Sequence, residues 1–261
     1  KFAEEFAKSH RYSIDDFLAR RTEFIAVGKK AIASILLRCE RQKSLNEAVD
    51  DWYAYLLNRV ANCTWDELNF ARLKIVTFNY DRSLEHFFLS ALRSTYGKET
   101  NEVVAKLRSL EIVHVYGVIG PALPDAENYT MYGSAERAID IKRAAGGINI
   151  VPEGRDTDPA ILRARELLMA ARQIAFMGFG FDASNLARLD AGNTCRAVLN
   201  NGGSRTRRRV VATSLGLTRA EAVKVAAPLY ADSGHQPGLE DPRDFYDSDC
   251  LTMLRETLVL G

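Results

Sequence analysis

The chain is poor in the residue patterns that announce metal, redox or membrane chemistry. Its four cysteines, Cys39, Cys63, Cys195 and Cys250, are scattered with no C-x-x-C pair, so zinc-ribbon and thioredoxin-type sites are excluded and no metal is expected. They read as reduced, mostly buried thiols of a cytoplasmic protein. No apolar run approaches the roughly 18 residues of a membrane span. The opening KFAEEFAKSH is neither a signal h-region nor an Arg-rich transit peptide, so no membrane partner is expected. Charge of one sign is missing too: 35 Lys+Arg stand against 34 Asp+Glu, which argues against nucleic acid as a partner. P-loop, GxSxG, HExxH and kinase signatures, internal repeats and low-complexity tracts are all absent.

What remains is 261 residues, 47% hydrophobic and 26% charged, the composition of a folded globular protein with room for one large or two small domains. The one basic run, Arg205, Arg207, Arg208 and Arg209, follows a Gly- and Asn-rich turn and leads into Val210-Val211-Ala212, which reads as a solvated entry to a strand.

Helix-start signals crowd the first seventy residues. Ser13-x-x-Asp16, Ser44-x-x-Glu47 and Thr64-x-x-Glu67 fit the capping-box pattern or its close variant. Behind Ser44, apolar residues at Val49, Trp52, Tyr53, Leu56, Leu57 and Val60 repeat at helical spacing. From Leu73 the rhythm changes. Strand candidates are Leu73–Phe78, Glu111–Tyr116, Ile148–Val151, Gln173–Phe179 and Arg208–Thr213, separated by helices over Asn101–Leu110, Ser134–Ala145, Asp158–Arg172 and Thr218–Ala227. Residues 231–247 read as a surface loop before a last helix, Asp249–Leu258. Apolar strands alternating with helices predict an α/β fold, a Rossmann-like doubly wound and mainly parallel sheet. The chain thus reads as a single domain over 1–261, a helical module at 1–70 and a sheet-and-helix core at 71–261.

In such a sheet, ligands bind beyond the carboxyl ends of the strands. Three junctions qualify. In Thr77-Phe78-Asn79-Tyr80-Asp81, Asn79 is suited to hold a ribose hydroxyl or a water, or is a turn former; Asp81 is a second polar group or a helix cap. In His114-Val115-Tyr116-Gly117, strand alternation puts His114 and Tyr116 on one face; His114 is a general base or a hydrogen-bonded core residue. In Gly178-Phe179-Gly180, the glycines would let a phosphate approach backbone N–H groups, although the full GxGxxG spacing is missing.

KIVTFNYDRSLEHFF, HVYGVIG and IAFMGFGFDASN, in this order behind SIDDFLARR and GKKAIASILL, resemble the bacterial sirtuin-like family. That resemblance implies a Rossmann-type NAD-binding sheet and, for several members, NAD hydrolysis in anti-phage defence. It implies NAD as substrate or ligand, Asn79 as the catalytic asparagine, Asp81 as its companion in the nicotinamide pocket, and His114 as the base. Thr77, Phe78, Tyr116, Gly178, Phe179, Gly180 and Ser214 would then line the nucleotide. Such defence proteins commonly form homo-oligomers. Two departures stand out. Tyr116-Gly117 occupies the place of a sirtuin His-Gly, and the family's opening strand with its GAG loop is missing, so a segment before Lys1 is expected. The absent C-x-x-C pairs weigh against protein deacylation. The remaining alternative is a module that binds NAD or an ADP-ribose derivative without turnover.

Overall fold

The computed structural model describes residues 1–11, 13–41, 45, 47, 52–133, 137–150, 157–200, 209–230 and 244–257. Two compact units emerge, Lys1–Val49 with Ala61–Ala160, and Asp50–Val60 with Ile161–Gly261.

The first unit begins with α1 (Phe2–Lys8), α2 (Ile14–Arg20), a single 3-10 turn at Thr22–Phe24, and α3 (Ile25–Cys39). The Ser13 hydroxyl accepts the backbone N–H groups of Asp15 and Asp16, satisfying two donors that a helix start would otherwise leave orphaned. Phe2, Phe6, Phe17 and Phe24 stack at centroid separations of 5.3 to 6.4 Å. Together with Leu18, Ala33, Leu37, Ile119 and Ile148 they form this unit's core. The next helix, α4 (Trp52–Val60), belongs to the second unit.

Beyond it, β1 (Lys74–Thr77) leads into α5 (Ser83–Tyr96), α6 (Thr100–Leu107), β2 (Glu111–His114) and α7 (Ala138–Gly146). Gly97, with φ +60°, ends α5 in the left-handed conformation that glycine adopts without a Cβ penalty. Strands β1 and β2 pair in parallel, Lys74 opposite Glu111 and Thr77 opposite His114, and α7 packs against α3. Parallel neighbours need a crossover, and α5 with α6 supplies it.

The second unit adds α8 (Pro159–Ala170), β3 (Gln173–Phe176), α9 (Ala183–Arg188), α10 (Ala191–Asn200), β4 (Arg209–Thr213), α11 (Arg219–Tyr230), β5 (Phe245–Tyr246) and α12 (Cys250–Thr257). Its sheet is parallel throughout, in the order β3-β4-β5. Val211, Met253 and Leu254 are buried there against Trp52, Tyr55, Ala175 and Met177, which gives the apolar stripe of α4 its covered face. Arg209, the last of the basic run, is structural: it donates to the Thr257 carbonyl at 2.7 Å and to Tyr246 Oη at 3.0 Å. Arg205, Arg207 and Arg208 lie outside the described residues.

The α/β alternation is present, in small sheets of two and three strands. Several local expectations change. Thr64 and Glu67 make half of the expected capping box, both the Thr64 N–H and its hydroxyl donating to Glu67, and only one turn follows before Leu68 and Phe70 are drawn into the core. Ile148 makes a lone antiparallel bridge to Gly117 rather than a strand, and Val151 is not among the described residues. Part of the expected 231–247 loop is strand β5, since the N–H groups of Ala212 on β4 and of Ser214 just beyond it find carbonyl partners at Asp244 and Tyr246. Ser44, Val49 and Ser134 also fall outside the described residues. Of the cysteines only Cys195 is buried, its thiol pushed up to about 12 by desolvation, and Cys39 is exposed. Among the described residues no helix is long and apolar enough to cross a membrane, and no group of three or more His, Cys, Asp or Glu is placed to hold a metal.

Candidate functional site

The site is built where β1 and β2 end. Thr77 and His114 are register partners at the carboxyl ends of the two strands, and their side chains converge on the backbone of one residue, Asn79. The Asn79 N–H donates to Thr77 Oγ1 at 3.1 Å, and the Asn79 carbonyl lies 2.9 Å from His114 Nδ1. One residue on, the Tyr80 carbonyl accepts from Ile119 N at 2.9 Å, and Tyr80 Oη lies 3.3 Å from both Asp15 Oδ1 and the Asn149 carbonyl. The turn is therefore fixed on both sides of Asn79. Its carboxamide is exposed and makes no hydrogen bond among the described residues.

His114 is nearly enclosed, its side chain 11% exposed, and Glu85 from the first turn of α5 lies 2.8 Å from Nε2 at 14% exposure. A carbonyl only accepts, so Nδ1 carries a proton, and Nε2 facing a carboxylate calls for a second. Burial presses the His114 pKa down. The hydrogen bond and charge of Glu85, the Asn79 carbonyl and the charge of Asp81 outweigh it and hold the value above the ordinary one. With both nitrogens committed, this imidazole is arranged to hold the turn rather than to take a proton from a ligand.

Asp81 serves the start of α5, its Oδ1 accepting from the Ser83 N–H at 3.0 Å and from the Ser83 hydroxyl. Nearby Asp15 has its pKa raised, burial outweighing the hydrogen bond from Tyr80. Tyr116 is not on a strand with His114. Strand β2 stops at His114, and the Gly117 N–H closes a turn on the His114 carbonyl at 3.2 Å. Gly117 is what permits that turn, with φ +83° and an added Cβ only 2.1 Å from the Gly147 carbonyl. Tyr116 ends buried at 3% exposure, its ring edge-on to Phe78 at 5.4 Å.

One buried cation fixes the scaffold behind the turn. Arg82, whose side chain is 1% exposed, makes a two-pronged pair with Glu40 at 2.7 and 2.9 Å and donates to the carbonyls of Pro121 at 2.8 Å and Thr130 at 2.6 Å. Tyr129 and Tyr132 present their rings to the same guanidinium at 5.8 and 5.9 Å. It thereby joins the end of α3 to the start of α5 and to two loops. Sequence reasoning passes over Glu40, Arg82 and Glu85. An acidic residue in a first helical turn reads as dipole compensation, and no spacing couples positions 29 or 42 residues apart.

In the second unit, Gly178 and Gly180 have φ of +56° and +67°, so the turn after β3 does need glycine. Two of its polar groups are engaged internally: the Gly178 N–H donates to Thr213 Oγ1 at 2.9 Å, and the Asp182 carboxylate accepts from the N–H groups of Ser184 and Asn185 at 2.9 and 3.1 Å. A carboxylate thus stands where a phosphate at the start of α9 would sit. Phe179 packs on Phe176 and Phe181, and Ser214 is buried with its N–H on the Tyr246 carbonyl at 2.7 Å. Asn79, Asp81, His114, Thr77, Phe78 and Tyr116 belong to the first unit, and Gly178, Phe179, Gly180 and Ser214 to the second. No protein-family model matches this chain, and neither does any curated protein or solved structure.

Proposed function

We propose that this chain is a sirtuin-like, Rossmann-type NAD hydrolase, a cytoplasmic bacterial defence effector that cleaves the nicotinamide N-glycosidic bond. The observation that carries the reading is the exposed Asn79 carboxamide on a turn held at its own N–H and carbonyl, at the carboxyl ends of two parallel strands. In this reading the bond between the ribose C1′ and nicotinamide breaks, and nicotinamide leaves with the electron pair. The resulting oxocarbenium-like cation faces the Asn79 amide oxygen, with Asp81 adding negative charge nearby. Water adds to C1′ and releases its proton to solvent. Because the backbone on both sides of Asn79 is held, its amide oxygen is offered to the developing charge from a fixed point on the turn.

The test is nicotinamide release from NAD, followed by chromatography. Wild type should release it, and Asn79→Ala should lose about 100-fold or more. Its denaturation midpoint should stay in place, since the carboxamide makes no hydrogen bond among the described residues. Equal release by both proteins would overturn the reading.

A second reading, NAD or ADP-ribose binding without turnover, is favoured by the engagement of both His114 nitrogens and the burial of Tyr116. Calorimetry showing NAD binding with no nicotinamide released would select it.

A further inference from the structure

Among the described residues His114 meets two hydrogen-bond acceptors, the Asn79 carbonyl at 2.9 Å and Glu85 Oε1 at 2.8 Å. The imidazole is a rigid plate, so fixing one nitrogen fixes the direction of the other. Glu85 is itself fixed, on the first turn of α5. We propose that Glu85 is a positioning residue for Asn79, acting through His114, so that the carboxylate on α5 sets the ring and the ring sets the peptide that carries the carboxamide. The chain of contact is Glu85, His114 Nε2, His114 Nδ1–H, Asn79 carbonyl. Nothing in it touches a ligand.

The charges around the pair favour the doubly protonated ring. Glu85 faces it from α5 and Asp81 from the turn after β1. Thr77, its register partner on β1, is uncharged. Farther out, Glu85 borders a cleft with Arg108 and Asp125, which are paired with each other.

This inference rests on the reading of Asn79 as the reactive-site asparagine, and two variants separate position from charge. In Glu85→Ala the ring loses its support. In Glu85→Gln the amide N–H can donate to the Nε2 lone pair of a neutral ring, leaving Nδ1–H on the Asn79 carbonyl. Glu85→Ala should lower kcat by about 10- to 100-fold with KM changed much less, as expected for misplacement of a reacting group. Glu85→Gln should restore kcat to within about threefold of wild type. It should also remove the alkaline fall in activity expected of wild type once its ring deprotonates and a lone pair faces the carboxylate. NMR titration of the His114 ring supplies the readout that needs no catalysis: a raised pKa in wild type, lowered in Glu85→Gln, and an Asn79 amide resonance displaced in Glu85→Ala.

Wild-type kcat and pH profile in Glu85→Ala would overturn the proposal, as would a ring whose titration ignores the Glu85→Gln change. If wild type itself releases no nicotinamide, the hydrolase reading fails, and the ring titration with the Asn79 resonance still decides the couple.

Discussion

Two turns leave the carboxyl ends of parallel strands in this chain, and they use their polar groups in opposite ways. At Asn79 the backbone N–H and carbonyl are taken by Thr77 and His114, and the side chain is left outside. At Gly178 the reverse holds. The turn has no polar side chain of its own until Asp182, and that carboxylate is turned inward onto the start of α9 while Thr213 takes the Gly178 N–H. A strand-to-helix junction is therefore a binding site only if its hydrogen-bonding groups are not already used to close it. The glycine turn is tied at the Gly178 N–H and at Asp182, and the asparagine turn is closed by its backbone alone.

The strongest way to break the first turn is to remove the partner of its buried cation. Glu40→Ala should destabilise the protein by about 3–5 kcal/mol, because the Arg82 guanidinium is left buried without its counter-ion. Urea denaturation measures this. Next come the glycines, which test whether each turn is crowded or merely left-handed. Gly117→Ala should cost more than about 3 kcal/mol, since positive φ and a backbone carbonyl 2.1 Å from the new Cβ act together. Gly180→Ala, with positive φ but nothing within 4 Å of the new Cβ, should cost about 1 kcal/mol. A reversal of that order would show that the second turn is the tighter one.

Smaller effects sharpen the comparison. Asp182→Ala should cost about 1 kcal/mol by orphaning two N–H groups at the start of α9. Asn79→Ala should move the unfolding free energy by less than about 0.5 kcal/mol.

The last is a slope. Folding raises the His114 pKa above its ordinary 6.5. The unfolded chain therefore binds fewer protons in the window just above that value. Stability from the couple is complete below the unfolded pKa and is lost as pH rises through the folded one. Unfolding free energies measured across that window should fall in wild type and flatten in Glu85→Gln.

Much of the local structure was legible in the sequence. Ser13, Thr218 and Asp249 cap their helices by contacts within three residues, and such contacts survive whatever the rest of the fold does. The four longer strands lie at their β-branched and apolar runs. Thr64 shows the limit of local reading: Glu67 does reach back to it, yet burial of Leu68 and Phe70 redirects the chain after one turn. Strand β5 was hidden because two residues carry no periodicity, and only the open edge of β4 makes them a strand. Asn79 stood out as a polar residue after a strand. Glu85 and Arg82 did not, because each looks like an ordinary charge at a helix start until its partner is brought from 29 or 42 residues away.

By itself, then, the sequence determined the caps, the alternation of strand and helix, and the polar residues at the strand ends, all set by interactions within one or two turns of chain. The tertiary structure decided which of those residues face solvent and which are used up. His114 became a clamp on the Asn79 carbonyl through the pairing of β1 with β2, and Thr213 took the Gly178 N–H through the pairing of β3 with β4, since hydrogen-bond demand between distant segments is settled only when they meet.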